Sequence, residues 1–182
     1  MSTATIAPTG TWTVDATHSR VGFAVKHLGI ATVRGTFKDF EGTLEIGDDL
    51  TTAKAYGTVK TASVDTNEPG RDEHLRSADF FDVEKHPQMT FRSTGVRADG
   101  ADWVVDGELT LKGNTKPVSL ALELNGFGPD AYGGTRAGFS ARTEISRSAF
   151  GVDIAMPMDG GGVVVADKIV VELEIQGVLR TA

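Results

Sequence analysis

Apolar and polar residues alternate with a period of two along most of the chain, which is typical of β-strands that bury one face. Segments 20–27 and 168–178 are the clearest examples. In the first of them, Val21, Phe23 and Val25 share one face, whereas the residues between them are polar or small. The pattern predicts strands whose apolar sides point into a common interior.

About eight substantial strands follow from this alternation, and nearly all of them are joined by short turns. Meander order and a strand count near eight predict an all-β fold, an extended eight-stranded antiparallel up-and-down barrel. A barrel of this size is either filled by its own side chains or holds one elongated small ligand. The fold therefore makes an interior binding site plausible without requiring one.

Two breaks in the alternation predict where the chain bends. The apolar positions of segments 33–37 and 40–46 have opposite phases, which indicates a β-bulge or bend between them. A turn after segment 89–96 predicts antiparallel pairing with segment 103–111. The glycines of segment 126–134 predict a long loop.

Segment 71–81 is the exception, because its apolar residues recur at helical spacing. Thr66 and Asn67 are candidate N-caps, and Pro69 suits a first helical turn. The sequence thus predicts one short helix, inserted after the third main strand as a plug or lid on the barrel.

Arg71 and His74 stand at the beginning of this predicted helix, beside its apolar face. Two roles for Arg71 stay open: a structural ion pair with a carboxylate such as Asp167, or contact with a ligand. Free N–H groups and the helix dipole would favour a hydrogen-bond acceptor next to Arg71.

The composition limits the class of protein. A chain of 182 residues with 40% hydrophobic content suits one domain, expected over residues 11–182 after a flexible segment 1–10. A net charge of -7 argues against nucleic-acid binding, which needs clustered Lys and Arg. The N-terminal residues show no signal-peptide pattern and no segment has the roughly 20 apolar residues of a membrane helix. We therefore expect a soluble, cytoplasmic protein that is not embedded in a membrane.

The sequence gives little support for a catalytic or metal-binding site. The chain has no cysteine, which excludes thiol catalysis and Cys-ligated zinc or iron–sulfur sites. Asp15, His18 and Ser19 are too close in sequence to form a catalytic relay, and there is no nucleophile-elbow motif. The four histidines lack metal-site spacing. The sequence predicts no enzyme, no metal and no cofactor.

Several short motifs, in order along the chain, together resemble the YceI-like family. They include Trp12-Thr13-Val14-Asp15, Phe23-x-Val25-Lys26-His27, Arg71-Asp72-x-His74-Leu75, Asp79-Phe80-Phe81-Asp82, Gly107-x-Leu109-Thr110-Leu111-x-Gly113 and Arg147-x-x-Phe150-Gly151. The resemblance runs from about Trp12 to Gln176. It implies a lipocalin-like barrel that binds polyisoprenoids, isoprenoid quinones or fatty amides, and it implies a possible homodimer. Members of the family are commonly periplasmic.

A lipid or other isoprenoid ligand would need an apolar lining for its tail and polar groups for its head. The predicted tail-binding residues are Val21, Phe23, Val25, Phe37, Leu75, Phe80, Phe81, Phe91, Leu109 and Phe150. The predicted head-group residues are His18, His27, Arg71, His74 and Arg147. The function expected is binding, carriage or sequestration of such a lipid without chemical change.

Two alternatives remain. A barrel filled by its own side chains would act through its surface as an interaction or stress-related module, with Phe127, Tyr132, Met156 and Met158 as candidate exposed apolar residues. An enzyme acting on a lipid-like substrate is the second alternative. The observation that separates carriage from the first alternative is whether the barrel is hollow.

Overall fold

Antiparallel strands form one closed barrel in the computed structural model, which describes residues 8–154 and 164–180. The strands are β1 (Gly10–Val14), β2 (Arg20–His27), β3 (Ala31–Phe37), β4 (Phe40–Ile46), β5 (Lys54–Lys60), β6 (Val64–Asp65), β7 (Gln88–Asp99), β8 (Asp102–Leu111), β9 (Asn114–Pro129), β10 (Thr135–Ser146) and β11 (Val165–Leu179). The α-helix, α1, spans Pro69–Arg76. Short 3-10 turns span Ala16–His18, Leu50–Thr52, Thr61–Ser63 and Ser148–Phe150.

Three of the barrel strands are bent, and each consists of two of these segments. β1 continues into β2, β3 into β4, and β5 into β6, so that β1 and β2 together pair with β3 and β4, which pair in turn with β5 and β6. With β7 to β11 this gives the predicted eight-stranded up-and-down barrel with its helix after the third main strand. The predicted bend between segments 33–37 and 40–46 is confirmed.

The last strand, β11, closes the barrel. Its end pairs with β1, through Trp12 and Leu179, and its beginning pairs with β2, through Val21 and Leu173. At the bend between β1 and β2, the backbone of Gln176 continues the ladder: its carbonyl accepts from Asp15 N at 2.8 Å, and its N–H donates to Ser19 Oγ at 2.9 Å.

The two ends of the barrel differ. We call the end that carries the β2–β3 turn and α1 the upper end, and the end that carries Trp12 and the β9–β10 turn the lower end. A buried cluster of Trp12, Ile46, Ala137 and Phe139 fills the lower end. A second cluster, Phe80, Leu111, Phe150 and Val152, fills the upper end together with side chains after α1.

One of two further predictions about the strands is confirmed, and the other is wrong. β7 and β8 pair as predicted, with Phe91 opposite Leu109. The predicted long loop 126–134 is wrong, because β9 continues to Pro129 and only residues 130–134 turn. Gly126, with φ at +149°, and a register shift next to Gly138 let the ladder absorb glycines that the sequence pattern assigns to a loop.

The helix is shorter than segment 71–81 and begins differently. Its N-cap is Glu68, whose carboxylate accepts from Gly70 N and Arg71 N, so the predicted caps Thr66 and Asn67 are wrong. Pro69 occupies the first turn as expected. The helix ends at Arg76, because Ser77 donates through its N–H and its hydroxyl to the carbonyl of His74 and leaves the helical path.

The predicted ion pair between Arg71 and Asp167 is wrong. Arg71 Nε donates to Thr66 Oγ1 at 2.7 Å, and its Nη2 donates to the carbonyl of Thr66 at 2.8 Å. The buried carboxylate of Asp72 accepts from Thr66 N at 2.9 Å. These bonds attach the helix to the end of β6. Asp167 instead accepts from Ser148 N.

The predicted N-terminal segment 1–10 lies outside the described residues as far as position 7, and Gly10 begins β1. The candidate exposed residues Met156 and Met158 also lie outside the described residues. Phe127 and Tyr132 are exposed as expected.

Asp15 joins the bend between β1 and β2 to β10. Its carboxylate accepts from Arg136 Nη1 and from His18 Nδ1, each at 2.7 Å, and from Thr17 N at 3.0 Å. The hydrogen bond from Arg136, followed by that from His18, holds the pKa of Asp15 well below its usual range. Folding therefore favours the ionised carboxylate.

This cluster predicts a specific loss of stability in acid. An unfolded Asp has a pKa of about 3.9, so the stabilisation by Asp15 is complete above about pH 5 and is lost as the pH falls toward about 2. In Asp15→Asn, the free energy of unfolding should be lower at pH 7 and should decrease less between about pH 5 and 2. Urea unfolding at a series of pH values measures both.

The matched control is Glu73→Gln, which removes an exposed carboxylate from α1. It should leave the pH profile close to that of the parent protein. An equal flattening in both variants would contradict a special contribution from Asp15.

Candidate functional site

The barrel is hollow between its two end clusters. A cavity of about 340 Å³ runs through the interior, and its lining is almost entirely apolar. Inward residues of the barrel strands form the wall, for example Leu44, Val105, Leu120, Ala141, Val171 and Leu173. This volume lies within the range of about 300–1,000 Å³ that is typical of small-molecule pockets.

The predicted tail-binding residues mostly lie on this wall. The structure brings nine of the ten to the cavity: Val21, Phe23, Val25, Phe37, Leu75, Phe80, Phe81, Phe91 and Leu109. Phe150 is 2% exposed and packs in the upper cluster, behind the lining, because the 3-10 turn after β10 directs it against Phe80 and Leu111. Contact of these side chains with a ligand remains a prediction.

One side of the wall is formed largely by backbone. Gly42 on β4 lies directly opposite Gly57 on β5, and Ala55 precedes Gly57 on the same inward face. Small residues at three neighbouring inward positions leave space on this side of the interior, where Val14 packs over Gly42. These three residues were not among the predicted site residues, although small residues at inward positions of two adjacent strands are a recognisable pattern in the sequence.

Arg147 is the one predicted head-group residue that lines the cavity among the residues that the structure describes. It is 9% exposed, and its guanidinium donates to the carbonyls of Ala166, Val152 and Val165 at 3.0, 2.8 and 3.0 Å. Within residues 8–154 and 164–180, no carboxylate lies within 4 Å of it. A cation held by neutral carbonyls at the edge of an apolar cavity attracts a hydrogen-bond acceptor or an anion.

β10 also contributes a hydroxyl group to the lining. Thr143 and Ile145 precede Arg147 on the inward face of β10, and all three line the cavity. This strand therefore adds one hydroxyl side chain to the lining. Apolar and small residues alternate with polar ones over residues 137–146 of the sequence, which is a signal for these inward positions, but Thr143 was not among the predicted site residues.

The other four predicted head-group residues lie outside the described lining. The guanidinium of Arg71 donates a hydrogen bond to Thr66, and the imidazole of His18 is hydrogen-bonded to Asp15 at the bend between β1 and β2. His74 lies 3.0 Å from Asp79, with its ring at right angles to Phe80, and His27 ends β2. The structure does not bring these four side chains together with Arg147, and their contact with a head group remains a prediction.

The candidate catalytic set is not arranged for catalysis. His18 and Asp15 form a hydrogen bond, but the hydroxyl of Ser19 is engaged with the backbone of Gln176 instead of the imidazole. Among the described residues, no three His, Asp or Glu side chains are grouped closely enough to hold a metal ion. In the same part of the chain, no helix is long and apolar enough to cross a membrane.

Comparison with known proteins matches the chain to relatives in both sequence and structure. Residues 12–177 match the family model described as YceI-like domain. Protein YceI of Escherichia coli O17:K52:H18 is 48% identical over 139 residues, which are 76% of this chain and 73% of that protein. Protein YceI of Salmonella arizonae is 46% identical over the same length and the same shares.

Solved structures show the same fold. The crystal structure of Burkholderia cenocepacia BcnA aligns with a TM-score of 0.77 and 26% identity, over 90% of this chain and 98% of that one. The YceI protein of Campylobacter jejuni aligns with a TM-score of 0.73 and 30% identity, over 86% and 90%.

A third structure is described as a polyisoprenoid-binding domain from Saccharophagus degradans. It aligns with a TM-score of 0.68 over 93% of this chain and 98% of that one. At 14% identity, this likeness concerns the fold. The family match, which covers nearly the whole barrel, agrees with the motifs and the topology, and the chain belongs to the YceI-like family.

Proposed function

We propose that this protein binds an amphiphilic long-chain lipid, such as a polyisoprenoid, an isoprenoid quinone or a fatty amide, inside its barrel. It carries or sequesters the lipid without transforming it. The observation that supports this proposal is the apolar cavity that runs between the two end clusters. The description of the Saccharophagus degradans domain as polyisoprenoid-binding points to the same ligand class.

An empty cavity of this size would lower the stability of the folded protein. At about 24 cal/mol per Å³, an empty apolar space of this volume would cost about 8 kcal/mol relative to a filled core. Folded domains are stable by only about 5–15 kcal/mol in total. A barrel that merely presented its surface to partners would gain stability by filling this space, so the cavity favours an internal ligand over the filled-barrel alternative.

Ligand binding at such a site is energetically feasible. A chain that buries about 500 Å² of apolar area gains about 12 kcal/mol at about 25 cal/mol per Å². Association costs about 4–15 kcal/mol, so the balance depends on whether the site is already formed. The lining around Ala55 and Gly57 provides preformed space, because no side chain has to move out of it.

Arg147 is the group that would distinguish one end of the ligand from the other. It lines the same cavity as Thr143 and Ile145, in a wall whose surface is almost entirely apolar. We infer that a carbonyl, hydroxyl or phosphate head group lies toward Arg147 while the tail extends along the barrel toward the lower cluster.

The homodimer and the cytoplasmic location stay predictions from the sequence.

The direct test is organic extraction of the freshly purified protein, followed by mass spectrometry. We expect a stoichiometric polyprenyl, quinone or long-chain amide species, absent from protein that has been denatured and washed. Adding the identified lipid back at about 100 times its Kd should stabilise the refolded protein by about 2.7 kcal/mol, or roughly 5–10 °C in Tm. No extracted lipid and no stabilisation by added isoprenoids would favour the filled-barrel alternative.

Ala55→Leu tests the site itself. The added side chain extends into the cavity from the wall formed by Gly42 and Gly57, so lipid occupancy should fall about tenfold or more while the barrel stays folded. Mass spectrometry of the extract gives the occupancy and circular dichroism gives the fold.

The matched control is Ala121→Leu, which makes the same change at an exposed position on the outer face of β9. It should retain full occupancy. If Ala55→Leu also retained full occupancy, the lipid would not lie along this wall.

A further inference from the structure

The turn between β2 and β3 places two apolar side chains in solvent. Ile30 is 83% exposed and Leu28 is 39% exposed. Leu28 also has a positive φ of 56°, followed by Gly29 at 71°. This is the conformation of a tight hairpin turn in which Asn, Asp or Gly is normally preferred, and a leucine adopts it at a cost. We call residues 28–30 the hairpin tip.

The hairpin tip extends beyond the neighbouring wall of the barrel. Among the described residues, β6 pairs with β3 only at Thr36 and Phe37, so residues 31–35 have no strand on their outer edge. The β2–β3 hairpin therefore forms a projection at the upper end.

The tip is also connected directly to the cavity. Leu28 N donates to the carbonyl of Val164 at 2.8 Å, and the next residue, Val165, pairs with His27 and lines the cavity. On β2, Val25 lines the cavity just below the tip. The tip is thus joined to the wall of the proposed lipid site through the backbones of β2 and β11.

The charge around the tip differs from that of the rest of the chain. Segment 26–34, which spans the tip, contains Lys26 and Arg34 and none of the chain's 25 Asp and Glu residues, although the net charge of the protein is -7. Lys26 donates to Thr32 Oγ1 at 3.0 Å and forms no ion pair within the described residues. Arg34 is exposed and lies 3.8 Å from Glu172, a distance at which the pair is weak.

From these observations we propose that the hairpin tip docks the protein on the surface of an anionic lipid bilayer. Leu28 and Ile30 insert into the boundary between head groups and acyl chains, and Lys26 and Arg34 lie against the negatively charged head groups. Docking places the upper end of the barrel, with Arg147, beside the bilayer. The inference rests on the proposed function for its purpose, since a membrane is where the lipid ligand is taken up or delivered, but the contact itself needs no ligand.

The test is co-sedimentation with vesicles of phosphatidylcholine alone and of phosphatidylcholine mixed with phosphatidylglycerol. We expect the parent protein to partition onto the mixed vesicles and the double variant Leu28→Asn, Ile30→Asn to partition at least tenfold more weakly. Lys26→Gln should weaken partitioning onto the mixed vesicles by about fivefold and leave that onto neutral vesicles unchanged.

Two controls separate docking from effects on folding. Tyr132→Asn removes an apolar side chain that is 90% exposed at the lower end, and it should leave vesicle binding unchanged. Leu28→Asn alone should raise Tm while it lowers vesicle binding, because Asn tolerates a positive φ better than Leu. A loss of binding in a more stable protein is not a consequence of unfolding.

Three outcomes would overturn the proposal: no binding of the parent protein to either vesicle, unchanged binding of the tip variants, or an equal loss in Tyr132→Asn. Each is distinguishable from failure of the proposed function, which is judged by extraction and mass spectrometry without vesicles. A protein that yields a lipid but ignores vesicles would be a carrier that exchanges its ligand by another route.

Discussion

Closure of the barrel by β11 is the constraint on which the rest of the structure depends. This strand pairs along one side with β10 and along the other with β1 and β2, and the backbone of Gln176 bridges the bend between those two. Pairing of β11 on both sides closes the sheet into a ring, so the apolar inward faces enclose a space instead of collapsing onto one another, while residues 31–35 of β3 keep an unpaired outer edge at the upper end. The end clusters around Trp12 and Phe150 then seal that space. A hollow interior is a result of this topology combined with small residues such as Gly42 and Gly57 on the wall.

The sequence predicts the barrel well because its main signal is strictly local. Alternation alone gives β2 its bounds and shows which of its residues point inward, and the change of phase near residue 38 gives the bend. One error arises where a distant strand determines the structure, and the other where a neighbouring side chain ends the helix. Glycines of segment 126–134 suggest a loop, yet pairing with β10 extends β9 to Pro129. The helix ends at Arg76 because the hydroxyl of Ser77 caps the last turn, although the apolar spacing continues to Phe81.

The site is less predictable than the fold, for a related reason. Periodicity tells which face of a strand a residue occupies, and this is enough to bring nine of the ten tail residues to the cavity. A polar residue, in contrast, takes the nearest acceptor or carboxylate. Arg71 is hydrogen-bonded to Thr66, His74 to Asp79, and His18 to Asp15, and each partner lies within five positions in sequence. Arg147 differs because its partners are the carbonyls of residues that frame the upper end, and these leave its cation at the cavity wall.

The unpaired outer edge of β3 has a consequence for how deeply the protein can enter any apolar phase. Residues 31–35 carry backbone N–H and C=O groups that no described strand satisfies on that side, so these groups need water or polar head groups as partners. Transfer of an unsatisfied backbone group into hydrocarbon costs several kcal/mol. Leu28 and Ile30 can leave water while the strand immediately behind them cannot. In the proposed docking, the same hairpin thus supplies an anchor at its tip and a depth limit at its edge.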